Sequence, residues 1–381
     1  MRVLFLQFTD PAGLPPLRRA MTILLAHGAA VDAVGIRLHG GKVMPLLEDD
    51  RLSVHLVDRT GSARRNYARW FRRAVRVARA GRPDWLYASD PLSAPAALVM
   101  ARLLAVPVIY HEHDAPQRAG PGPLGRLAVR ARDTLARRAE LCVLPSEERR
   151  RALADHLDGQ LAAVTAWNCP LRTEVGPPRA APDRSGFRIW YHGSLVPERL
   201  PHPLLEALTV LPAEVSFTFA GYETQGATGF TADFLARARR MGLEGRVLAT
   251  GFLGHPELRV RIADFDLGCA FVDPAASDTN LHSLAGASNK VFEYLAAGVP
   301  ALVPPGEAWH TLVVGPGYGV AAASDASAIA AAVRRLMGDR QATHAMGEAG
   351  RQRILAEWNY ETQFAPVLGR MQRGANAAAA S

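Results

Sequence analysis

The 381-residue chain is most informative in what it has little of. Lysine occurs only as Lys42 and Lys290, and every other basic residue is arginine. The three cysteines, Cys142, Cys169 and Cys269, lie far apart, which excludes a disulfide framework and a zinc pattern and fits a reducing compartment. Aromatic residues make up 7% of the chain, and no recognised nucleic-acid module is present, so nucleic acid is not an expected partner. No apolar run approaches the roughly 18–20 residues of a membrane span. The apolar start, residues 3–8, is too short for a signal peptide and ends in Thr9-Asp10-Pro11, so it reads as a buried first strand. No G-x-G-x-x-G follows that strand, which disfavours a dinucleotide oxidoreductase.

What is present is ordinary globular composition, 49% hydrophobic and 21% charged, at a length suited to two domains. The net charge of +8 points to anionic partners, although the arginine excess, with abundant Ala, Gly and Pro, fits a GC-rich genome equally well. Apolar runs at 3–8, 31–36, 54–57, 85–88, 107–111 and 141–144 alternate with helical spacing at 14–27, 64–80, 91–104 and 124–139. Strands too apolar to have a wet face imply a parallel sheet covered on both sides. Residues 173–186, rich in Pro and Gly, read as a linker. Alternation then resumes, with strands at 187–192, 215–220, 247–250, 266–272, 300–303 and 319–322. The expected architecture is α/β, two doubly wound Rossmann-like domains facing a cleft. The first covers 1–172 and the second 187–357. A C-terminal helix at 358–373 is expected to pack back on the first domain, followed by a frayed tail at 374–381. Ligands in such folds sit at the carboxyl ends of the strands.

Two stretches of the second half carry chemistry. Ser288, Asn289, Lys290 and Glu293 open a helix, with Ser288 or Asn289 as N-cap. Glu293 is then expected in the first turn, where free amides and the positive dipole end attract an anion. Tyr191-His192-Gly193-Ser194 is expected to leave a strand toward a helix, Gly193 and Ser194 forming an anion nest and Arg199 holding a diphosphate.

With Gly251-Phe252 and residues 288–300, these stretches resemble the retaining GT-B glycosyltransferases, the family-4-like group 1 enzymes. The resemblance implies that Glu293 bonds the ribose of a nucleotide-sugar and that Arg199 neutralises its diphosphate. Gly193, Ser194, Gly251, Phe252, Asn289 and Lys290 are implied to share donor binding. The family's first glutamate falls on Ala285, and an expected arginine on Ser194. In the first half, His113 is implied to touch the donor sugar or its phosphate, with Gly13, His111 and Asp114 on the acceptor side. Neither a cofactor nor a metal is implied. Asp264-Phe265-Asp266 imitates a metal triplet, but strand capping explains it better.

The expected activity is transfer of a hexose from a UDP- or GDP-sugar to a glycan or lipid-linked acceptor, with retention of configuration, in surface-polysaccharide or glycoconjugate synthesis. A nucleotide-sugar epimerase of the same fold and a degenerate nucleotide-sugar-binding protein are the alternatives. The expected location is cytoplasmic. Arg65, Arg69, Arg72, Arg76 and Arg79 share one face of the helix at 64–82. They are either a solvated face or a peripheral attachment to an anionic membrane at the inner face of the plasma membrane.

Overall fold

A computed structural model describes residues 1–37, 48–116, 122–180, 185–276 and 278–380. The chain divides into two compact units. Unit 1 contains Met1–Asn168 and Tyr360–Ser381, and unit 2 contains Cys169–Asn359.

In unit 1 the elements run β1 (Arg2–Gln7), α1 (Pro15–Ala26), β2 (Ala30–Arg37), β3 (Leu52–Asp58), α2 (Ala63–Gly81), β4 (Trp85–Ser89), α3 (Ala94–Leu104), β5 (Val108–His111), α4 (Pro123–Arg138), β6 (Leu141–Leu144), α5 (Glu147–His156) and β7 (Ala163–Thr165). The strands form one parallel sheet in the order β3-β2-β1-β4-β5-β6-β7. Chain order reverses between β1 and β4, the switch point at which doubly wound sheets open a crevice. One sheet face packs Leu4, Leu6, Val34 and Leu86 against Trp70 and Ala74 of α2, Met100 of α3 and Leu135 of α4. The arginines of α2 named above are all exposed, while Trp70, Ala74 and Ala78 are buried.

Unit 2 runs β8 (Phe187–Leu195), α6 (Pro203–Val210), β9 (Val215–Glu223), α7 (Phe230–Arg240), β10 (Val247–Gly251), α8 (His255–Ile262), β11 (Leu267–Cys269), α9 (Thr279–His282), α10 (Asn289–Ala296), β12 (Ala301–Val303), α11 (Glu307–Trp309), β13 (Gly319–Ala321), α12 (Ala326–Gly338) and α13 (Arg340–Ala356). Its parallel sheet has the order β10-β9-β8-β11-β12-β13, with the switch point between β8 and β11. β11 pairs with β8 at Ile189 and Trp190, so among the described residues Tyr191–Leu195 has β9 as its one strand partner and its other edge opens at the switch point.

Within unit 2, ahead of β8 in the chain, Gly176 donates to the Ala296 carbonyl, and Arg179 to the carbonyls of Gly298 and Phe265. Of the expected linker, residues 181–184 lie outside the described residues. The last helix, α14 (Tyr360–Ala380), packs on α1 and sets Phe364 against Tyr87. Its backbone stays helical through the stretch expected to fray, because four consecutive alanines, the best helix formers, complete it. Ser381 lies outside the described residues.

Candidate functional site

The unit 2 site is built where β8 passes the end of β11. Gly193 and Ser194 do not form the turn expected of them. They extend β8, paired with Gly221 and Tyr222 of β9. The reason is the glycine pair: both have positive φ, and a Cβ on Gly221 would overlap the Gly193 carbonyl. The turn comes later, at Pro197–Arg199, and α6 starts only at Pro203. Across the opened edge stands α10. Its Lys290 amine lies 3.4 Å from where a Gly193 side chain would begin and 5.3 Å from the centre of the Tyr191 ring. Burial, then the neighbouring Arg199 charge, lower the Lys290 amine to about 7, while Glu293 and Cys269 oppose the shift. Among the described residues, neither this amine nor the Arg199 guanidinium has a hydrogen bond or ion pair.

Glu293 is also placed differently from expectation. Asn289 is the first residue of α10, so Glu293 falls in the second turn, and Ser288 makes no capping bond. The carboxylate therefore does not compensate the dipole. It is 6% exposed, and its Oε2 lies 2.7 Å from Nε2 of His192. Its Oε1 is 3.8 Å from Nδ1 of His255, the first residue of α8. Sequence reasoning passed over both histidines. His192 stood in the quoted motif, and His255 follows Gly251-Phe252 by three residues, but the link to Glu293 is made only in three dimensions. Gly251 ends β10 at φ +74°, and the Phe252 ring lies 6.5 Å from that of Tyr222. Asp266 is committed to structure: it accepts from the Arg188 amide and pairs with Arg340.

On unit 1, His113 follows β5 and is 7% exposed, and among the described residues neither ring nitrogen has a hydrogen-bond partner. Its backbone is tightly held. The amide donates to Asp90 Oδ1 at 2.9 Å, and the carbonyl accepts from Arg149. Asp90 sits at φ 63°, ψ 161°, a region nearly restricted to glycine and worth about 1–3 kcal/mol of strain. His111, expected on the acceptor side, is fully buried. Its ring lies tilted 4.0 Å from that of His113 and bonds the Tyr87 hydroxyl, so it backs His113 rather than facing a ligand. Burial, then the His113 charge, push His111 well below the ordinary histidine range. Asp114 is 77% exposed beside Arg149. Gly13 ends a short turn capped by Asp10, with no described atom within 4 Å of where its Cβ would stand.

Two family models match the chain, a glycosyl transferase 4-like domain over residues 17–168 and a glycosyl transferase-like domain over residues 205–369. The chain belongs to the group 1 glycosyltransferases. The glycogen synthase of Mycobacterium tuberculosis is 27% identical to this glycosyltransferase over 295 residues, 74% of this chain and 67% of the relative. Among solved structures, HepE from Anabaena in complex with UDP and glucose matches with a TM-score of 0.76 at 18% identity, over 98% of this chain and 100% of that one. Sucrose-phosphate synthase from Thermosynechococcus elongatus matches with a TM-score of 0.75 at 14% identity, over 99% and 100%. The fold of the glycosyltransferase is thus GT-B. Among the described residues, no helix is long and apolar enough to cross a membrane.

Proposed function

We propose that this glycosyltransferase moves a hexose from a nucleotide-sugar, UDP- or GDP-linked, to a glycan or lipid-linked acceptor in surface-polysaccharide or glycoconjugate assembly. Configuration is retained and no metal is required. The observation that carries the reading is the pair of cationic side chains at the β8–β11 switch point. Burial first, and repulsion from Arg199 second, lower the Lys290 amine, and no described residue bonds either group. A dianionic diphosphate relieves that repulsion. As the diphosphate leaves, its charge grows, and both cations hold it more tightly in the transition state than in the substrate. They supply the positive charge that a divalent ion brings in metal-dependent transferases. Glu293 accepts from the donor ribose, Asn289 and the Gly193-Ser194 backbone line the diphosphate, and Gly251-Phe252 borders the nucleoside. Contact with the donor sugar or its phosphate falls to His113, whose ring nitrogens have no partner among the described residues. HepE, the fold relative solved with UDP-glucose, supports the choice of donor class.

The test is incubation of the enzyme with UDP- and GDP-hexoses and an acceptor extract, in the presence of a chelator. The anomeric configuration of the product is then read by NMR. Transfer or slow donor hydrolysis with retained configuration supports the proposal. Inversion, chelator-sensitive activity or no consumption of any donor contradicts it.

A further inference from the structure

Glu293 is held by a chain of two further side chains that the reaction itself does not explain. The indole Nε1 of Trp190 lies 3.0 Å from Nδ1 of His192, and Nε2 of His192 lies 2.7 Å from Glu293. An indole N–H can only donate. Nδ1 must therefore accept, and a neutral imidazole then carries its proton on Nε2, where it meets the carboxylate. The opposite tautomer would set N–H against N–H at one end and lone pair against lone pair at the other. The imidazolium would keep the indole clash.

We propose that Trp190 is a positioning residue whose indole N–H locks His192 as the Nε2–H tautomer, so that His192 orients Glu293 as a permanently available acceptor for the donor. The donor clause rests on the function proposed above; the tautomer lock does not. The surroundings agree. Trp190 is wholly buried and packs on Phe265 at 4.6 Å, so its ring cannot turn away without disturbing the core. The groups facing His192 are Glu293 and Lys290 of α10, with Tyr294 edge-on at 5.2 Å, while His255 of α8 faces the other Glu293 oxygen. Burial lowers His192 below its ordinary range despite Glu293, and Lys290 adds to that lowering. The lock thus keeps a carboxylate–imidazole pair from becoming an ion pair, which would draw the Glu293 charge away from an incoming hydroxyl.

The first measurement uses the unmodified, ligand-free protein. In 15N NMR, His192 should show a pyridine-type Nδ1 and a pyrrole-type Nε2 that stay unchanged across about pH 5–8, where histidines normally titrate. A proton on Nδ1, or an ordinary titration, overturns the proposal. The second uses Trp190→Phe, which keeps a ring but frees Nδ1. His192 should then titrate in that window, and donor KM should rise roughly three- to tenfold toward low pH, the worth of one hydrogen bond, with kcat much less affected. His192→Gln preserves the polarity, its carbonyl accepting from Trp190 and its amide donating to Glu293. It should show no such pH step and retain far more donor affinity than His192→Ala. A Trp190→Phe profile that superimposes on the wild type overturns the lock. A protein that binds no sugar nucleotide sinks the proposed function, yet leaves the NMR test of the tautomer standing.

Discussion

Each unit buries a glutamate, and the two are treated in opposite ways. In unit 1, Glu112 receives two bonds of 2.6 Å from Arg132 and one of 2.7 Å from the Tyr110 hydroxyl. Burial opposes the Arg132 charge, but Glu112 more than offsets it and holds the guanidinium above its usual range. In unit 2, Glu293 faces His192, which burial keeps below the ordinary histidine range, while the nearby cations Arg199 and Lys290 have no hydrogen bond or ion pair among the described residues. A satisfied pair fixes a loop. An unpaired cluster of charge in a cleft is a candidate site for a counterion. Glu112 lies next to His113, so the ion pair serves as scaffold for a side chain with no hydrogen-bond partner among the described residues, whereas in unit 2 the charged groups are themselves the proposed site.

The largest effect should come from breaking the satisfied pair. Arg132→Met strands a buried carboxylate and should lower stability by about 3–5 kcal/mol in a denaturant titration, whereas the double replacement with Glu112→Leu should restore most of it. Loss of less than about 1 kcal/mol in the single variant would show that the pair is not the scaffold described. Next comes Arg199→Ala. It should leave the unfolding midpoint in place and reduce turnover roughly a hundred- to a thousandfold, the scale of one lost transition-state charge contact. Wild-type turnover would remove Arg199 from the site.

Smaller still is a pH effect at Lys290. In the free enzyme its amine titrates near 7, and a bound diphosphate raises that value, so binding takes up a proton above pH 7. UDP-glucose affinity should therefore be flat below about pH 7 and weaken by up to about tenfold per pH unit above it. Lys290→Met should abolish the slope, and equal slopes in the two proteins would contradict the assignment. The sign reverses for stability. The unfolded lysine keeps its proton up to its ordinary value, so the ligand-free protein should gain stability as pH rises through this window. The least effect is expected from the exposed face of α2. Replacing Arg72 and Arg76 by Glu should weaken sedimentation with anionic vesicles by about 1 kcal/mol per lost arginine and leave donor turnover alone. Unchanged sedimentation would leave that face merely solvated.

Most of the fold was legible because buried parallel strands are nearly continuous apolar runs, as at Leu141–Leu144, where expectation and structure share both ends. The elements passed over lack that signal. α5 reads EERRRALADH and buries only Arg149 and Leu153, and β7 is three half-buried residues. At the site, the residue types on α10 could be read because their spacing is local. The extension of β8 could not, because it depends on Gly193 meeting Gly221 of another strand. Nor could the bond between His192 and Glu293, 101 residues apart. His111 misled for a related reason: alternation along β5 turns its ring into the core beside Tyr87, and sequence proximity to His113 hides that.

The central claim is that Arg199 and Lys290 bind the donor diphosphate. Calorimetric titration of the wild type and Arg199→Ala with UDP-, GDP- and dTDP-glucose tests it most directly. At least one sugar nucleotide should bind the wild type, and the variant should bind it at least about tenfold more weakly, as expected for a lost charged hydrogen bond. No binding by any of the three, or equal affinity in both proteins, would contradict the claim.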